Sequence, residues 1–461
     1  MMFSKETYIN RRNKLKSDVK SGILLFLGND ESGMNYADNT YHYRQDSTFL
    51  YFFGSDYAGL NAIIDIDENR EIIFGDELTI DDIVWMGTQP TIKEKSEAVG
   101  IKETAPQSEL KTYLEKALTK GQRVHHLPSY RPEHQIKLQS LLNVHPNISV
   151  KNASSEFIQA VVNQRNYKSA EEIIQIEEAV NITAEMHLAA MRMARPGMKE
   201  YEIAAKVQEI AISMGGQPSF PTIATINGQT LHNHYHGNTL KSGDMVLLDC
   251  GAENGMHYSG DMSSTFPVDK TFTTRQKEIY EIALNAHNAA IAKLQPGTKF
   301  KDVHLTACRT VAEGMKQMGF MKGNVEDAVQ QGAHALFFQC GTGHMMGMDV
   351  HDMENLGEVC VGYNGEAKST LFGLKSLRLG RELEPGFVLT IEPGIYFIPE
   401  LIDMWKAEKR FEEFINYNKV EQYKDFGGIR NEEDFLITPD GARLLGKPIP
   451  KSIADVERER I

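Results

Sequence analysis

Cysteine is scarce in this sequence, and its placement argues against two kinds of stabilising site. The 461 residues include four cysteines, and no two of them form a Cys-x-x-Cys pair. They are Cys250, Cys308, Cys340 and Cys360. A disulfide framework or a zinc site built on thiolates normally shows closely spaced, repeated cysteines. The sequence therefore predicts neither of these sites.

Positive charge and long apolar runs are also lacking. The formal net charge is -14, which argues against a nucleic acid or an anionic membrane surface as the main partner. The first twenty residues are charged throughout and contain no apolar core of signal-peptide length. The longest early apolar run, at 23–27, is far too short to span a membrane. We therefore expect a cytoplasmic protein with neither nucleic-acid nor membrane partners.

Length and residue patterns predict two domains. The chain is long enough for two or three domains, and 41% of its residues are hydrophobic. From about residue 5 to 155, short apolar strands alternate with amphipathic helices, which predicts an α/β domain. Strands are predicted at 22–28, 60–67 and 70–76, and helices at 109–120 and 133–142. A longer helix is predicted over 161–197, ended by Pro196-Gly197. We place the boundary near residue 165, which gives domains 1–165 and 166–461.

The second domain contains an internal repeat. A Pro-Gly-x-Lys sequence precedes an amphipathic helix at Pro196 and again at Pro296, one hundred residues later. Two strand segments also match, because Asp249 and Glu392 each follow a glycine by six residues. Each half thus places a carboxylate at the same point of an equivalent strand, which indicates an internal duplication. We expect two half-domains that face each other, with their acids meeting in the centre.

The first of these strands poses a charge problem. Residues 245–248 are apolar and typical of a dry interior, yet Asp249 follows them and Asp261 lies twelve residues further on. An ionised carboxylate in an apolar site is costly unless a positive group pairs with it. No lysine or arginine occurs between residues 243 and 266. Something outside this segment must supply the positive charge, and a metal ion is the expected source.

Further candidate ligands are Glu392, Glu432 and His344. Four carboxylates cannot share one dry site while all are ionised, since like charges raise each other's pKa. Two divalent cations would reverse that cost, and an oxygen-rich set with one imidazole favours Mn²⁺, Co²⁺ or Zn²⁺. Two such ions about 3.5–4 Å apart would hold a bridging hydroxide. Taken singly, an aspartate at a strand end such as Asp249 is more often a turn or cap residue than a ligand, while Glu392 also fits a turn residue and His344 a core histidine.

Four motifs make the interpretation more specific. In chain order they are DCGAENGMHYSGDMSSTFPV (249–268), GTGHMMGMDVHD (341–352), LTIEPGIYF (389–397) and GGIRNEEDFLIT (427–438). Together they resemble the pita-bread metallopeptidases of family M24, and within these the proline-peptidase branch. HYRQDSTFLYFFG (42–54) resembles the creatinase and prolidase type of N-terminal domain. The resemblance implies an α+β fold, in which an N-terminal α/β domain precedes a pseudo-twofold pita-bread catalytic domain.

The resemblance also implies roles for the site residues. The implied metal ligands are Asp249, Asp261, His344, Glu392 and Glu432. They would hold two divalent ions, with Mn²⁺ expected first and Co²⁺ or Zn²⁺ possible in its place. Glu392 would also orient or deprotonate the attacking water, and His351 would steady the oxyanion or shuttle a proton. His232 would bind substrate, while Arg430 would hold the hydrogen-bond network around the ligands.

Two departures from the usual family pattern, and two features shared with prolidase-like members, affect these expectations. Cys340 stands where many relatives have a histidine, and we expect it to be a buried, inert thiol. The two aspartates lie one residue further apart than is usual, which a bulge can absorb. An insertion at 401–426 is predicted to be helical, as in prolidase-like members. Arg378 matches an arginine that prolidases use on the dipeptide carboxylate, although a solvated surface arginine would fit the same pattern.

The implied function is that of an Xaa-Pro aminopeptidase, a metal-dependent exopeptidase that removes an N-terminal residue preceding proline. An Xaa-Pro dipeptidase restricted to dipeptides is the alternative, and Arg378 with the insertion favours it. A non-catalytic pita-bread binding module is a third hypothesis, disfavoured because all five ligand positions are filled. The expected partners are small peptides with proline at the second position, and the expected assembly is a homodimer or a homotetramer.

Overall fold

The structure is a computed structural model, which describes residues 3–460 and divides into two compact units. The first unit contains the chain up to Arg165 together with the short segment Met353–Cys360. The second contains Asn166–Asp352 and the chain from Val361 onwards. The segment Met353–Cys360 lies within the range that the sequence analysis placed in the second domain.

The first unit is built on a five-stranded mixed sheet. Its helices are α1 (Lys5–Val19), α2 (Ser47–Phe53), α3 (Ile80–Met86), α4 (Ile92–Ala98), α5 (Glu109–Thr119), α6 (Pro132–Leu142) and α7 (Ser155–Arg165), with 3-10 helices at Pro146–Ile148 and Glu354–Leu356. Its strands are β1 (Ile23–Leu27), β2 (Asn61–Asp65), β3 (Arg70–Phe74), β4 (Glu103–Ala105) and β5 (Val124–His125). They lie in the order β4-β3-β2-β1-β5, with β1 to β3 antiparallel and both edge strands parallel to their neighbours. The predicted α/β character of this region is confirmed.

Burial of one sheet face explains why these segments are strands. Ile23, Ile63 and Phe74 from the sheet pack in one buried cluster with Leu114 of α5 and Leu138 of α6. All five side chains are at most 1% exposed, so each contributes roughly 1.5–3 kcal/mol of hydrophobic stabilisation. The apolar runs and amphipathic helices of the sequence therefore correspond to the two sides of one core.

The second unit has more elements and smaller sheets. Its helices are α8 (Ala170–Met193), α9 (Glu200–Ser213), α10 (Thr274–Ile291), α11 (Phe300–Gln317), α12 (Val325–Gln331), α13 (Glu358–Val361, which begins in the segment of the first unit), α14 (Pro399–Ala407), α15 (Tyr417–Val420) and α16 (Ile453–Glu459), with 3-10 helices at Ala333–Leu336 and Glu421–Tyr423. Its strands are β6 (Gln217–Pro218), β7 (Ile223–Thr225), β8 (Met245–Cys250), β9 (Ala252–Glu253), β10 (Met262–Pro267), β11 (Val388–Ile391), β12 (Gly394–Tyr396), β13 (Gly428–Arg430), β14 (Glu433–Thr438) and β15 (Gly441–Leu444). They form the sheets β10-β8-β7, β11-β14-β15, β12-β13 and β6-β9.

The prediction of one continuous helix over 161–197 is wrong. The chain leaves the helical conformation after Arg165, and α8 begins only at Ala170. Ser169 caps α8: its hydroxyl accepts from the Glu172 N–H, and the Glu172 carboxylate accepts from the Ser169 N–H. This capping box fixes a helix start within a run whose apolar spacing looks continuous.

The insertion at 401–426 is only partly helical, which corrects the second helix prediction. α14 ends at Ala407 and α15 begins at Tyr417. Between them, Lys409 and Phe411 have φ values of 52° and 51°. This left-handed backbone cannot continue a right-handed helix.

Matching hydrogen bonds confirm the internal repeat. The Gly197 N–H donates to the Leu240 carbonyl at 2.9 Å, and the Gly297 N–H donates to the Leu383 carbonyl at 2.8 Å. Both glycines have a positive φ, 94° and 83°, which only glycine adopts without strain. The two halves therefore enter their long helices through the same turn.

The same symmetry places four acids at matching positions. Asp249 lies near the end of β8, and Glu392 follows β11 directly. Asp261 directly precedes β10, which pairs with β8, and Glu432 directly precedes β14, which pairs with β11. Each half thus contributes one acid from a strand end and one from the start of its antiparallel neighbour.

Candidate metal centre

All nine site residues predicted from the sequence line one cavity in the second unit. The cavity has a volume of about 240 Å³. The predicted residues that line it are His232, Asp249, Asp261, His344, His351, Arg378, Glu392, Arg430 and Glu432. They are separated by up to two hundred residues in the chain, so the two half-domains bring them together. Their individual roles stay predictions.

His344 is held in the form that binds a metal ion. Its Nδ1 lies 3.0 Å from the Met345 carbonyl oxygen, and because a carbonyl only accepts, Nδ1 carries the proton. The Nε2 atom of neutral His344 then presents a lone pair 3.3 Å from Asp261 Oδ2 and 3.7 Å from Glu392 Oε1. Donor atoms of Asp261, His344 and Glu432 all lie within 4.8 Å of one another. A cation between them would turn repelling lone pairs into ligands.

The carboxylates are held in an environment that resists their ionisation. Burial, and next the charge of Asp249, raise the pKa of Asp261 well above its usual range. Burial and the charge of Asp261 do the same to the pKa of Glu432, and burial raises the pKa of Glu392. The Oδ1 atoms of Asp249 and Asp261 are buried without a hydrogen-bond partner among residues 3–460. Orphaned oxygens and mutual repulsion fit a site that holds two divalent cations through an oxygen-rich ligand set.

Arg430 supplies part of the positive charge that the 243–266 segment lacks. Its Nη2 donates to Asp249 Oδ2 at 2.6 Å, its Nη1 to the Tyr396 hydroxyl at 2.9 Å and its Nε to Ser263 Oγ at 2.9 Å. Ser263 Oγ in turn donates to Glu432 Oε2 at 2.8 Å. The sequence analysis expects a metal ion as the source of this charge, and the structure adds one guanidinium that faces Asp249.

The remaining predicted residues lie on the cavity wall. The rings of His351 and His344 meet edge to face, with centroids 4.3 Å apart. Partial burial, and next the charge of Arg430, lower the pKa of His232, which favours a neutral imidazole that accepts or donates one proton. Arg378 is half-buried and lines the cavity, so it is not a solvated surface side chain.

Cys340 also lines the cavity. Burial raises the pKa of its thiol to about 12, so the thiolate is not populated near neutral pH. The Sγ atom lies 3.8 Å from the Tyr396 hydroxyl. An inert thiol is what the sequence analysis expects at this position.

Several supporting residues are absent from the sequence analysis. Tyr396 and Ser263 bind Arg430, and the Asp434 carboxylate accepts from the Asp261 N–H at 3.1 Å. Lys168 and Asp352 form a buried ion pair at 2.8 Å. Asp352 directly follows His351 in the chain. Asp434 and Asp352 lie in motifs that the sequence analysis quotes, next to the predicted site residues Glu432 and His351. An acidic residue in such a position was the sequence feature that could have predicted their supporting role.

Comparison with known proteins agrees with this geometry. The family model of the metallopeptidase family M24 matches residues 174–439, and that of the aminopeptidase P N-terminal domain matches residues 8–125. This chain belongs to metallopeptidase family M24. The family requires divalent metal ions, and the residues around the cavity fit them. The two-part α+β fold expected from the sequence is confirmed.

Relatives of this M24 chain carry two different activities in their names. An Xaa-Pro aminopeptidase from Haemophilus influenzae is 31% identical, over 98% of this chain and 96% of its own. A human Xaa-Pro dipeptidase is 29% identical, over 95% of this chain and 89% of its own. The solved structure of zinc-substituted Escherichia coli aminopeptidase P in complex with product is 28% identical. It superposes with a TM-score of 0.80 over 100% of this chain and 98% of that chain.

No helix within residues 3–460 combines the length and the hydropathy that a membrane span requires.

Proposed function

We propose that this M24 metallopeptidase is an Xaa-Pro aminopeptidase, which hydrolyses the bond between an N-terminal residue and a following proline. The convergence of Asp249, Asp261, His344, Glu392 and Glu432 on one cavity carries this conclusion. The aminopeptidase names of full-length relatives support the substrate class. Because proline forms a tertiary amide without an N–H, a general protease that binds an extended strand loses a hydrogen bond there, and a dedicated enzyme is needed.

The metal ions are proposed to be two Mn²⁺ ions, with Co²⁺ or Zn²⁺ as substitutes. Such a pair acts as a Lewis acid on the scissile carbonyl and supplies a nucleophile at neutral pH. Four carboxylates and one imidazole are hard or borderline ligands, which suit Mn²⁺.

The chain's own residues position the reactants around those ions. Glu392, whose side chain is 19% exposed and lies 3.7 Å from His344, is placed to orient the attacking water and accept its proton. The imidazoles of His232 and His351 stand on the cavity wall as hydrogen-bond donors for the developing oxyanion. Arg430 holds Asp249 and, through Ser263, Glu432 in fixed orientations. Phe220, Ile223 and Leu231 provide an apolar wall suited to the pyrrolidine ring.

An Xaa-Pro dipeptidase is the second candidate, and Arg378 favours it. A guanidinium on the cavity wall matches a free substrate carboxylate in charge and shape. In a dipeptide that carboxylate belongs to the proline, whereas in a longer peptide the next residue extends past this position. The two candidates therefore differ in what Arg378 meets.

A side-by-side assay separates the candidates. The Mn²⁺-loaded protein is given an Xaa-Pro dipeptide and an Xaa-Pro-Yaa tripeptide, with Asp261→Ala as the inactive control. We expect the tripeptide to be cleaved as fast as the dipeptide or faster, and Arg378→Gln to retain tripeptide activity. Cleavage of the dipeptide alone, abolished in Arg378→Gln, would establish the dipeptidase instead. Cleavage of neither substrate by metal-loaded protein would refute both.

Two further properties belong to this proposal. We propose a homodimer or a homotetramer, which light scattering coupled to size-exclusion chromatography would measure. We also propose a cytoplasmic location, because all four cysteines are free thiols, the state that a reducing compartment maintains.

A further inference from the structure

A second group of metal-ligand side chains lies in the interior of the second unit, outside the residues that line the cavity. It consists of His304 and Cys308 on α11 and His334 on the 3-10 helix at Ala333–Leu336, and we call it the His–Cys cluster. The first two side chains are 0% exposed and His334 is 2% exposed. The cluster therefore has no contact with substrate.

The spacing of the three donor atoms suits three of the four ligand positions around one tetrahedral ion. One donor atom from each of the three residues lies within 4.8 Å of the others, and His304 Nε2 is 3.4 Å from Cys308 Sγ. In tetrahedral zinc sites, bond lengths of about 2.0–2.3 Å put neighbouring ligand atoms roughly 3.3–3.7 Å apart. The i and i+4 positions on α11 put both side chains on one face of the helix.

The hydrogen bond that His304 makes to Thr342 turns its other ring nitrogen, Nε2, toward Cys308. Its Nδ1 lies 2.8 Å from Thr342 Oγ1, while its Nε2 faces the thiol. Histidine ligands in proteins characteristically use one nitrogen for the metal and the other for such a hydrogen bond, which fixes the ring. The thiol hydrogen bond to Nε2 is the only competing use of this atom that the described residues offer.

His334 provides the second, independent observation. Both of its ring nitrogens are buried without a hydrogen-bond partner in the described part of the chain. Buried polar atoms almost always have a partner, so an imidazole left without one points to a group that binds it.

We propose that His304, Cys308 and His334 form a structural site for one divalent ion, Zn²⁺ by preference, separate from the carboxylate centre. On binding, the Cys308 S–H loses its proton to solvent and the sulfur lone pair forms the bond to the ion, since coordination deprotonates a thiol. Two nitrogens and one sulfur are softer donors than four carboxylates, so the two centres select different metals.

The position of the cluster gives the ion a supporting role. Thr342, which binds His304, also accepts the Glu392 N–H through its carbonyl at 2.7 Å, and it lies two residues before His344. An ion in the His–Cys cluster would thus fix α11, the 3-10 helix at Ala333–Leu336 and the backbone that presents two cavity ligands. The absence of a Cys-x-x-Cys pair conceals this arrangement in the sequence, where His-x-x-x-Cys on a helix was the available signal.

The test uses cobalt, whose bond to a thiolate absorbs in the near ultraviolet. The full-length protein is unfolded, refolded with Co²⁺, and its bound metal counted by mass spectrometry. We expect three ions per chain and a thiolate-to-cobalt band in the wild type. Cys308→Ser should bind two ions and lose the band, whereas Cys340→Ser, which changes the thiol that lines the cavity, should still bind three ions and keep the band.

Two outcomes would overturn the proposal. One is two ions and no thiolate band in the wild type, and the other is a band that survives in Cys308→Ser or disappears in Cys340→Ser. If Cys308→Ser does not refold, X-ray absorption of a zinc-loaded variant in which Cys250, Cys340 and Cys360 are all replaced by serine decides the question, because a cysteine sulfur ligand at about 2.3 Å then has to be Cys308. These readouts do not depend on peptidase activity.

Discussion

Arg430 shows how a single side chain organises the carboxylate centre. Its three donors reach one acid, one hydroxyl of tyrosine and one hydroxyl of serine, and each donor faces a different partner. A lysine has one ammonium group on a flexible stem and cannot reproduce this fork. The geometry of Asp249 therefore depends on a guanidinium, and positive charge alone does not suffice.

We predict that Arg430→Lys weakens metal binding by about 10–100-fold, the usual effect of losing a partner that orients a ligand. The reason is that Asp249 and Ser263 lose the hydrogen bonds that orient them. Isothermal titration calorimetry, in which Mn²⁺ is added to the metal-free protein, measures the change in metal affinity. Excess Mn²⁺ should restore part of the activity.

The matched control is Arg275→Lys, at an exposed ion pair in which Arg275 lies 2.6 Å from Asp425. This change should leave metal affinity unaltered. Equal Mn²⁺ affinity in wild type and Arg430→Lys would show that Arg430 does not position the ligands.

At this scale the sequence predicts which residues line the cavity but not what holds them. The five candidate ligands, the two wall histidines and both arginines are brought together as expected. Tyr396 and Ser263 were not predicted because they act through contacts with Arg430, and such contacts leave no spacing or periodicity in the sequence. Nor could the pairing of Asp249 with a distant arginine be inferred from the absence of charge around it.

At the scale of elements, the segment that contains Gly343 and His344 packs closely against the backbone of β11, and this contact places His344. The Thr390 N–H donates to the His344 carbonyl at 3.0 Å. A methyl group at Gly343 would lie 2.0 Å from the Thr390 carbonyl oxygen. Only glycine allows the segment to come this near to the strand.

We therefore predict that Gly343→Ala moves His344 away from the acids and lowers kcat by about 100-fold, since a displacement near 1 Å costs that much. The change is measured by steady-state kinetics at saturating Mn²⁺. Gly255→Ala is the control, because its methyl group would meet nothing nearer than the Gly215 carbonyl at 3.7 Å. Unchanged kcat in Gly343→Ala would mean that the segment tolerates displacement.

Element types follow from the sequence more reliably than element boundaries do. The three strands at 22–28, 60–67 and 70–76 and the two helices at 109–120 and 133–142 match the observed ranges within about two residues, because apolar alternation and amphipathic spacing are read directly. The break before α8 was missed because apolar positions on both sides keep a helical period. There, the Ser169 and Glu172 pair decides the boundary by local hydrogen bonds.

At the scale of the whole molecule, buried histidines couple stability to pH. His187 is 0% exposed, and burial lowers its pKa to about 4. In the unfolded chain this side chain takes up a proton near pH 6.5, whereas in the folded protein it stays neutral down to about pH 4. The unfolded state therefore binds more protons in this window, and stability falls as the pH falls from about 6.5 to about 4.

We predict that His187 contributes about 2 kcal/mol to the loss of unfolding free energy between about pH 7 and pH 5. Urea unfolding of wild type and His187→Gln at both pH values measures this difference, and the variant should show the smaller loss. His42→Gln, at an exposed histidine, should lose as much as the wild type. An equal pH dependence in wild type and His187→Gln would contradict the prediction.

The overall division of the chain is predictable to a similar degree. The two-part fold and the internal repeat follow from changes in residue pattern and from equivalent Pro-Gly and acid positions. Membership of Met353–Cys360 in the first unit does not follow, since it depends on contacts between residues far apart in the chain.

The division of the ligands between two half-domains also bears on how the protein is made. During synthesis Asp249 and Asp261 leave the ribosome before the other acids of the cavity. Arg430, which pairs with Asp249, and Glu432, which completes the group of acids, leave it last. Until then the β8-β10 pair presents two uncompensated acids, so its burial is disfavoured. A nascent chain, or one truncated before the second half-domain, therefore has no complete active site. Peptidase activity arises only when both halves are present.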